Sequence, residues 1–135
     1  MRVLMDTGPW VALVDRSEDR HEECVEWLKG FKGEIFSSEA VLTEVLCLLN
    51  FSPSAQSVAL DFVLTGAIVL VPSSLESLTM AKTLMEKYKD FPMDFADATL
   101  VCIAHDLSIE HIMTFDRKDF DIYRLYKTQC FIIIP

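Results

Sequence analysis

Glycine is scarce in this chain, with four in 135 residues, and none of them builds a phosphate-cradling P-loop or a GxSxG nucleophile elbow. There is no HExxH, and His21, His105 and His111 stand in unrelated segments without ligand-pair spacing, which argues against a zinc hydrolase. Cys24, Cys47, Cys102 and Cys130 lack CxxC spacing and are expected to be buried, reduced thiols that behave as small hydrophobes. No uninterrupted apolar run approaches the ~20 residues of a membrane span, so no membrane contact is expected and the cytoplasm is the default location. Positive charge is also short: 12 basic against 21 acidic residues leave a net charge of -9. That balance disfavours a broad phosphate-binding face, because nonspecific nucleic-acid affinity comes from Lys and Arg. Local charge still matters more than the sum, and Arg117, Lys118, Arg124 and Lys127 gather near Asp116.

What remains is a well-filled hydrophobic inventory, 51% of residues, with 24% charged, as expected of one compact domain over residues 1–135. Short β-like runs alternate with helical ones, which predicts an α/β domain with a mainly parallel central sheet. Strands are expected at Arg2 to Met5, Glu34 to Ser37, Ala67 to Val71, Glu110 to Phe115 and Cys130 to Ile134. Helices are expected where Asp6-Thr7-Gly8-Pro9 turns into a short helix starting at Pro9, from Ser17 to a stop at Gly33, from Ser38 to about Asn50, from Ser52 to Gly66, from Ser74 to Tyr88, and from Asp94 to about Asp106.

Asp6 follows the first strand and Asp116 the fourth. If these are parallel strands of one sheet, both carboxylates emerge at its carboxyl edge, where open α/β sheets place ligand sites. Asp94 and Asp97 open an apolar helix, and Asp97 precedes Ala98, Thr99, Leu100, Val101 and Cys102, where a lone buried carboxylate is costly without a partner or metal. Each acid also has a plainer reading. Asp6 suits a helix cap, Asp94 and Asp97 suit a first turn where the macrodipole favours negative charge, Glu44 suits the polar side of a helix whose Val41, Leu42, Val45, Leu46, Leu48 and Leu49 face inward, and Asp116 and Asp119 suit a turn. Carboxylates from several elements are what Mg²⁺ requires, since it takes hard oxygen ligands and keeps several waters.

Taken together, Met5-Asp6-Thr7-Gly8, the DRSEDRH stretch from Asp15 to His21, Thr43-Glu44-Val45, MDFADATL from Met93 to Leu100, and Thr114 to Phe120 resemble the PIN domain, and within it the VapC-type toxins, over essentially the full length. The resemblance implies a three-layer α/β/α sandwich and Mg²⁺- or Mn²⁺-dependent endoribonuclease activity. It carries the family's acids onto Asp6, Glu44, Asp97 and Asp116, an additional acid onto Asp94, and supporting hydroxyls onto Thr7 and Thr114, with Asp119 replacing or supplementing Asp116. On this pattern Asp6, Asp97 and Asp116 ligate one ion, directly or through water, Glu44 orients the attacking water or holds a second ion, and Arg117 or Lys118 contacts phosphate. The implied partners are RNA, a small antitoxin and a second copy of the chain.

Two other readings stand beside this one: a catalytically weak PIN-like binding or regulatory module, and a nuclease acting on another nucleic acid. Between Gly33 and Ala81 there is no Lys or Arg, while Phe51, Phe62 and many leucines crowd two successive helices. That pair either packs as core or stands partly exposed as a protein contact.

Overall fold

The structure is a computed structural model that describes residues 1–124 and 129–135; Lys127, one of the basic residues near Asp116, lies outside them. The described residues form five strands and seven helices: β1 (Arg2–Met5), α1 (Thr7–Val14), α2 (His21–Gly30), β2 (Glu34–Ser37), α3 (Glu39–Leu48), α4 (Pro53–Leu64), β3 (Ile68–Leu70), α5 (Leu75–Lys87), α6 (Phe95–Leu107), β4 (His111–Met113), α7 (Arg117–Ile122) and β5 (Ile132–Ile134). The strands pair in the order β3-β2-β1-β4-β5, all parallel, in a three-layer α/β/α sandwich. Parallel pairing requires a crossover between consecutive strands, and the intervening helices supply it.

β1 is the central strand, and Val3, Leu4 and Met5 are wholly buried, as expected of a strand covered on both faces. The chain builds outward from β1 through β2 to β3, then returns to place β4 and β5 on the other side. The strand order therefore reverses between β1 and β4, which opens a crevice at their carboxyl ends. Register runs Val3 to His111 and Met5 to Met113, so Asp6 and Thr114 leave the sheet side by side.

Local chemistry explains where the elements begin. Ser38, Ser52 and Ser74 accept from backbone N–H groups in the first turns of α3, α4 and α5, and Pro53 opens α4. α2 starts at His21 rather than Ser17, because Asp15 Oδ1 accepts from both the N–H and the hydroxyl of Ser17, at 3.0 and 2.7 Å, and ties that segment into a turn. The helix also ends at Gly30, not Gly33. Gly33 has φ +151°, and a Cβ there would lie 1.9 Å from the Met1 carbonyl oxygen, so only glycine lets the chain enter β2 beside β1. The turn expected at Asp116 to Asp119 is instead the start of α7, anchored by wholly buried Phe120.

Two burial expectations are corrected. Cys24 and Cys102 are buried thiols, but Cys47 and Cys130 are exposed. Leu48, expected to face inward from α3, is 59% exposed. With Phe51 at 67%, Leu64 at 79%, and Val58 and Leu60 also exposed, α3 and α4 present an apolar surface rather than core alone. Among the described residues no helix is long and apolar enough to cross a membrane.

Candidate active site

Asp6 is the N-cap of α1, and the capping role and a place in the acid cluster coincide in one side chain. Its Oδ1 accepts from Thr7 N–H at 2.8 Å, and its Oδ2 accepts from the Thr114 hydroxyl at 2.7 Å. Thr114 Oγ1 in turn accepts from Asp116 N–H at 2.9 Å, so one buried hydroxyl ties the segment after β4 to the segment after β1. The Thr7 hydroxyl donates to Glu44 Oε2 at 2.9 Å and fixes that glutamate, half-buried on α3, toward the same crevice. Asp94 caps α6 by accepting from Asp97 N–H at 2.8 Å. Asp97 sits in the first turn of α6, 8% exposed, and its Oδ2 accepts from the Tyr123 hydroxyl at 3.1 Å.

Asp6, Glu44, Asp94, Asp97, Asp116 and Asp119 all line one cavity of about 270 Å³, together with Thr7, Gly8, Pro92 and Phe115. Thus residues from the ends of β1 and β4 and from α3, α6 and α7 converge. Carboxylate oxygens of Asp97, Asp116 and Asp119 lie within 4.8 Å of one another. Asp119 therefore stands with Asp97 and Asp116 in the tightest group, while Asp6 reaches the same cavity with both its oxygens already accepting hydrogen bonds.

Such crowding is unfavourable for the charged forms. Burial pushes the Asp97 carboxyl up to about 8, with Asp94 and Asp6 adding repulsion. Burial, followed by the neighbouring Asp119, raises Asp116 to about 6. Asp6 is raised by its burial even though the hydrogen bonds from Thr114 and Thr7 pull the other way. No Lys or Arg lines the cavity among the described residues, so the protein itself supplies no counter-charge there. An all-oxygen donor set with unbalanced negative charge fits a hard divalent cation.

Arg117 and Lys118 stand outside the cavity lining; both are exposed, and Arg117 donates to the Pro135 carbonyl at 3.3 Å. Two further groups are not among the expected site residues. The Arg20 guanidinium lies 4.0 Å above the Phe115 ring, at the rim of the cavity that Phe115 lines. Phe115 in turn packs on Gly8, where a Cβ would come within 2.8 Å of the ring. Tyr123 is the other, and its contact with Asp97 spans 26 residues of chain.

A parallel α/β sandwich with a knot of acids where its strand order reverses defines an α/β domain with an acidic pocket at the sheet edge. The chain belongs to the PIN domain family, whose model matches residues 3–126. Among solved structures it is similar to the Mycobacterium tuberculosis toxin VapC20, which cleaves the sarcin-ricin loop, at 20% identity and a TM-score of 0.79 over 87% of this chain and 92% of that one. VapBC2 from Rickettsia felis, bound to a DNA fragment from its promoter, aligns over 100% of both chains at 15% identity with a TM-score of 0.67. A toxin-antitoxin complex from Klebsiella pneumoniae gives 21% identity and 0.65 over 87% of this chain and 89% of that one. At these identities the likeness concerns the fold. No curated protein matches the sequence.

Proposed function

We propose that this protein is a metal-dependent endoribonuclease that hydrolyses RNA phosphodiester bonds as the toxin of a type II toxin-antitoxin pair. The observation that carries this reading is the single cavity holding six carboxylates with no basic side chain in its described lining. Mg²⁺ or Mn²⁺, held by Asp97 and Asp116 with Asp6 or Asp119 completing the set, would supply activated water and stabilise charge in an in-line displacement. Glu44 orients the attacking water and takes its proton, its carboxylate steadied by the Thr7 hydroxyl. Thr114 keeps Asp6 and the backbone at Asp116 in fixed relation. No nucleophilic side chain is required.

Arg20 is the phosphate contact this reading favours: it stacks on Phe115, a residue of the cavity lining, and pairs with Glu23 rather than with any of the cavity acids. R20A is expected to raise KM for RNA several-fold with kcat little changed, and to lower the slope of log affinity against log salt by about one. Salt-dependent binding measured by fluorescence anisotropy in EDTA checks this; an unchanged slope removes Arg20 from the phosphate path.

The exposed apolar surface of α3 and α4, which carries no Lys or Arg, suits a partner with apolar and basic side chains, in keeping with an antitoxin. Association as a homodimer and a cytoplasmic setting accompany this reading. End-labelled RNA incubated with purified protein is expected to be cleaved with Mn²⁺ or Mg²⁺ and to stay intact in EDTA, and a DNA oligonucleotide of the same sequence is expected to resist. Cleavage that persists in EDTA defeats the metal-dependent reading. Intact RNA under all conditions favours a PIN-like binding module instead.

A further inference from the structure

We propose that Tyr123 is a positioning residue that fixes the Asp97 carboxylate for cation binding, an inference that rests on the metal-dependent reading above. Tyr123 lies one residue beyond α7 and is wholly buried. Its hydroxyl donates to Asp97 Oδ2 at 3.1 Å in a buried hydrogen bond. A buried phenol needs a partner, and this one has taken the carboxylate.

The ring has little freedom to do otherwise. Tyr88 meets it edge-on at 5.1 Å and Phe120 at 5.2 Å, and Phe120 is held in turn by Phe131 at 5.6 Å. The Tyr88 hydroxyl has a different engagement, accepting from Arg124 N–H at 3.2 Å. Asp97 meanwhile faces like charges: Asp94, Asp6 and Asp116 all repel it. Left to that repulsion, the carboxylate would turn to whichever rotamer separates the charges. The phenol donor holds one orientation against it, and the aromatic cluster holds the phenol.

One short stretch thereby supplies three groups to the site. Asp116, Asp119 and Tyr123 all belong to α7 or its immediate flanks, docked through Phe120, so seating that helix sets two carboxylates and the brace of a third together. Partners that orient metal ligands in this way carry ten- to a hundredfold of metal affinity, by roughly the usual measure.

The test uses the full chain and titrates Mn²⁺ by calorimetry and by its paramagnetic resonance signal. Y123F keeps the ring and removes only the donor. Its Mn²⁺ dissociation constant is expected to rise about tenfold or more. The Mn²⁺ concentration that half-saturates RNA cleavage should rise in parallel, with kcat largely recovered at excess metal. Y88F removes a hydroxyl from the same aromatic cluster without touching Asp97, and is expected to bind Mn²⁺ as wild type does. Equal affinity in Y123F and wild type overturns the proposal, as does an equal loss in Y88F, which would trace the effect to cluster packing. Wild-type protein that takes up no Mn²⁺ would instead bring down the metal-dependent reading itself, and this proposal with it.

Discussion

Asp97→Asn is expected to abolish RNA cleavage, by roughly a thousandfold or more in kcat/KM, equivalent to about 4 kcal/mol of transition-state stabilisation, while making the metal-free protein more stable at pH 8.5. Both effects follow from one carboxylate. Asp97 is 8% exposed, sits in an apolar helix, and is pushed up to about 8 by burial and by its acidic neighbours. Above that pH the metal-free fold must hold a buried anion beside like charges. Asn presents an oxygen to the Tyr123 hydroxyl from the same position, carries no charge, and removes that repulsion. It also donates a weaker, neutral ligand to a hard cation, so the activity and the repulsion disappear together. Parallel cleavage assays and thermal melts in EDTA check the pair. Wild-type activity in D97N would remove Asp97 from the chemistry, and a lower melting temperature at pH 8.5 would show that the cluster does not strain the fold.

The metal-free protein is also expected to lose stability as pH rises, the reverse of the usual carboxylate behaviour. An Asp held by an ion pair has a lowered folded-state pKa and contributes stability at high pH. Here the folded-state values lie above the ordinary one of 3.8, at about 6 for Asp116 and about 8 for Asp97. Between roughly pH 4 and pH 8 the folded state therefore binds more protons than the unfolded chain, and stability falls with pH at up to about 1.4 kcal/mol per unit for each fully differential proton. The contribution is whole below about pH 4 and is lost progressively as pH passes through about 6 and then about 8. Asp116 is exposed and screened, so Asp97 dominates, and a total of a few kcal/mol corresponds to a melting temperature lower by about 10 °C at pH 8.5 than at pH 5.

Divalent cation should reverse this trend, since a ligating carboxylate is deprotonated and binding strengthens as protons leave. Mn²⁺ at about a hundred times its pH 6 dissociation constant adds about 2.7 kcal/mol there, and at that same concentration the gain in melting temperature should be larger at pH 8. Differential scanning calorimetry across this range, in EDTA and in Mn²⁺, decides it. A metal-free melting temperature that rises with pH would contradict the crowded-acid description.

Much of this was legible in the residues themselves. The alternation of β-branched runs with apolar helical spacing defined the α/β class, because both periodicities are local properties of the chain. Ser38, Ser52 and Ser74 marked their helix starts for the same reason: a cap acts within three residues. Where the reading slipped, a local contact had outweighed the pattern. Asp15 holding Ser17 delayed α2, and Phe120 turned an apparent turn into α7. Cys47 and Leu48 look like core residues in one dimension, and only the packing of α3 against its neighbours determines which of its faces is left outside.

The sequence by itself determined that this chain is an α/β domain with acids poised at the ends of its elements, since strand ends, helix caps and an apolar run following Asp97 are all short-range features. Only the tertiary structure decided that those acids meet in one cavity, that Asp119 joins Asp97 and Asp116 in the tightest group, that the Tyr123 hydroxyl donates to Asp97, and that Arg20 stacks on Phe115 while Arg117 and Lys118 stand outside the cavity lining. The reason is distance along the chain: Thr114 reaches Asp6 across 108 residues and Tyr123 reaches Asp97 across 26, and such contacts depend on strand order and helix docking.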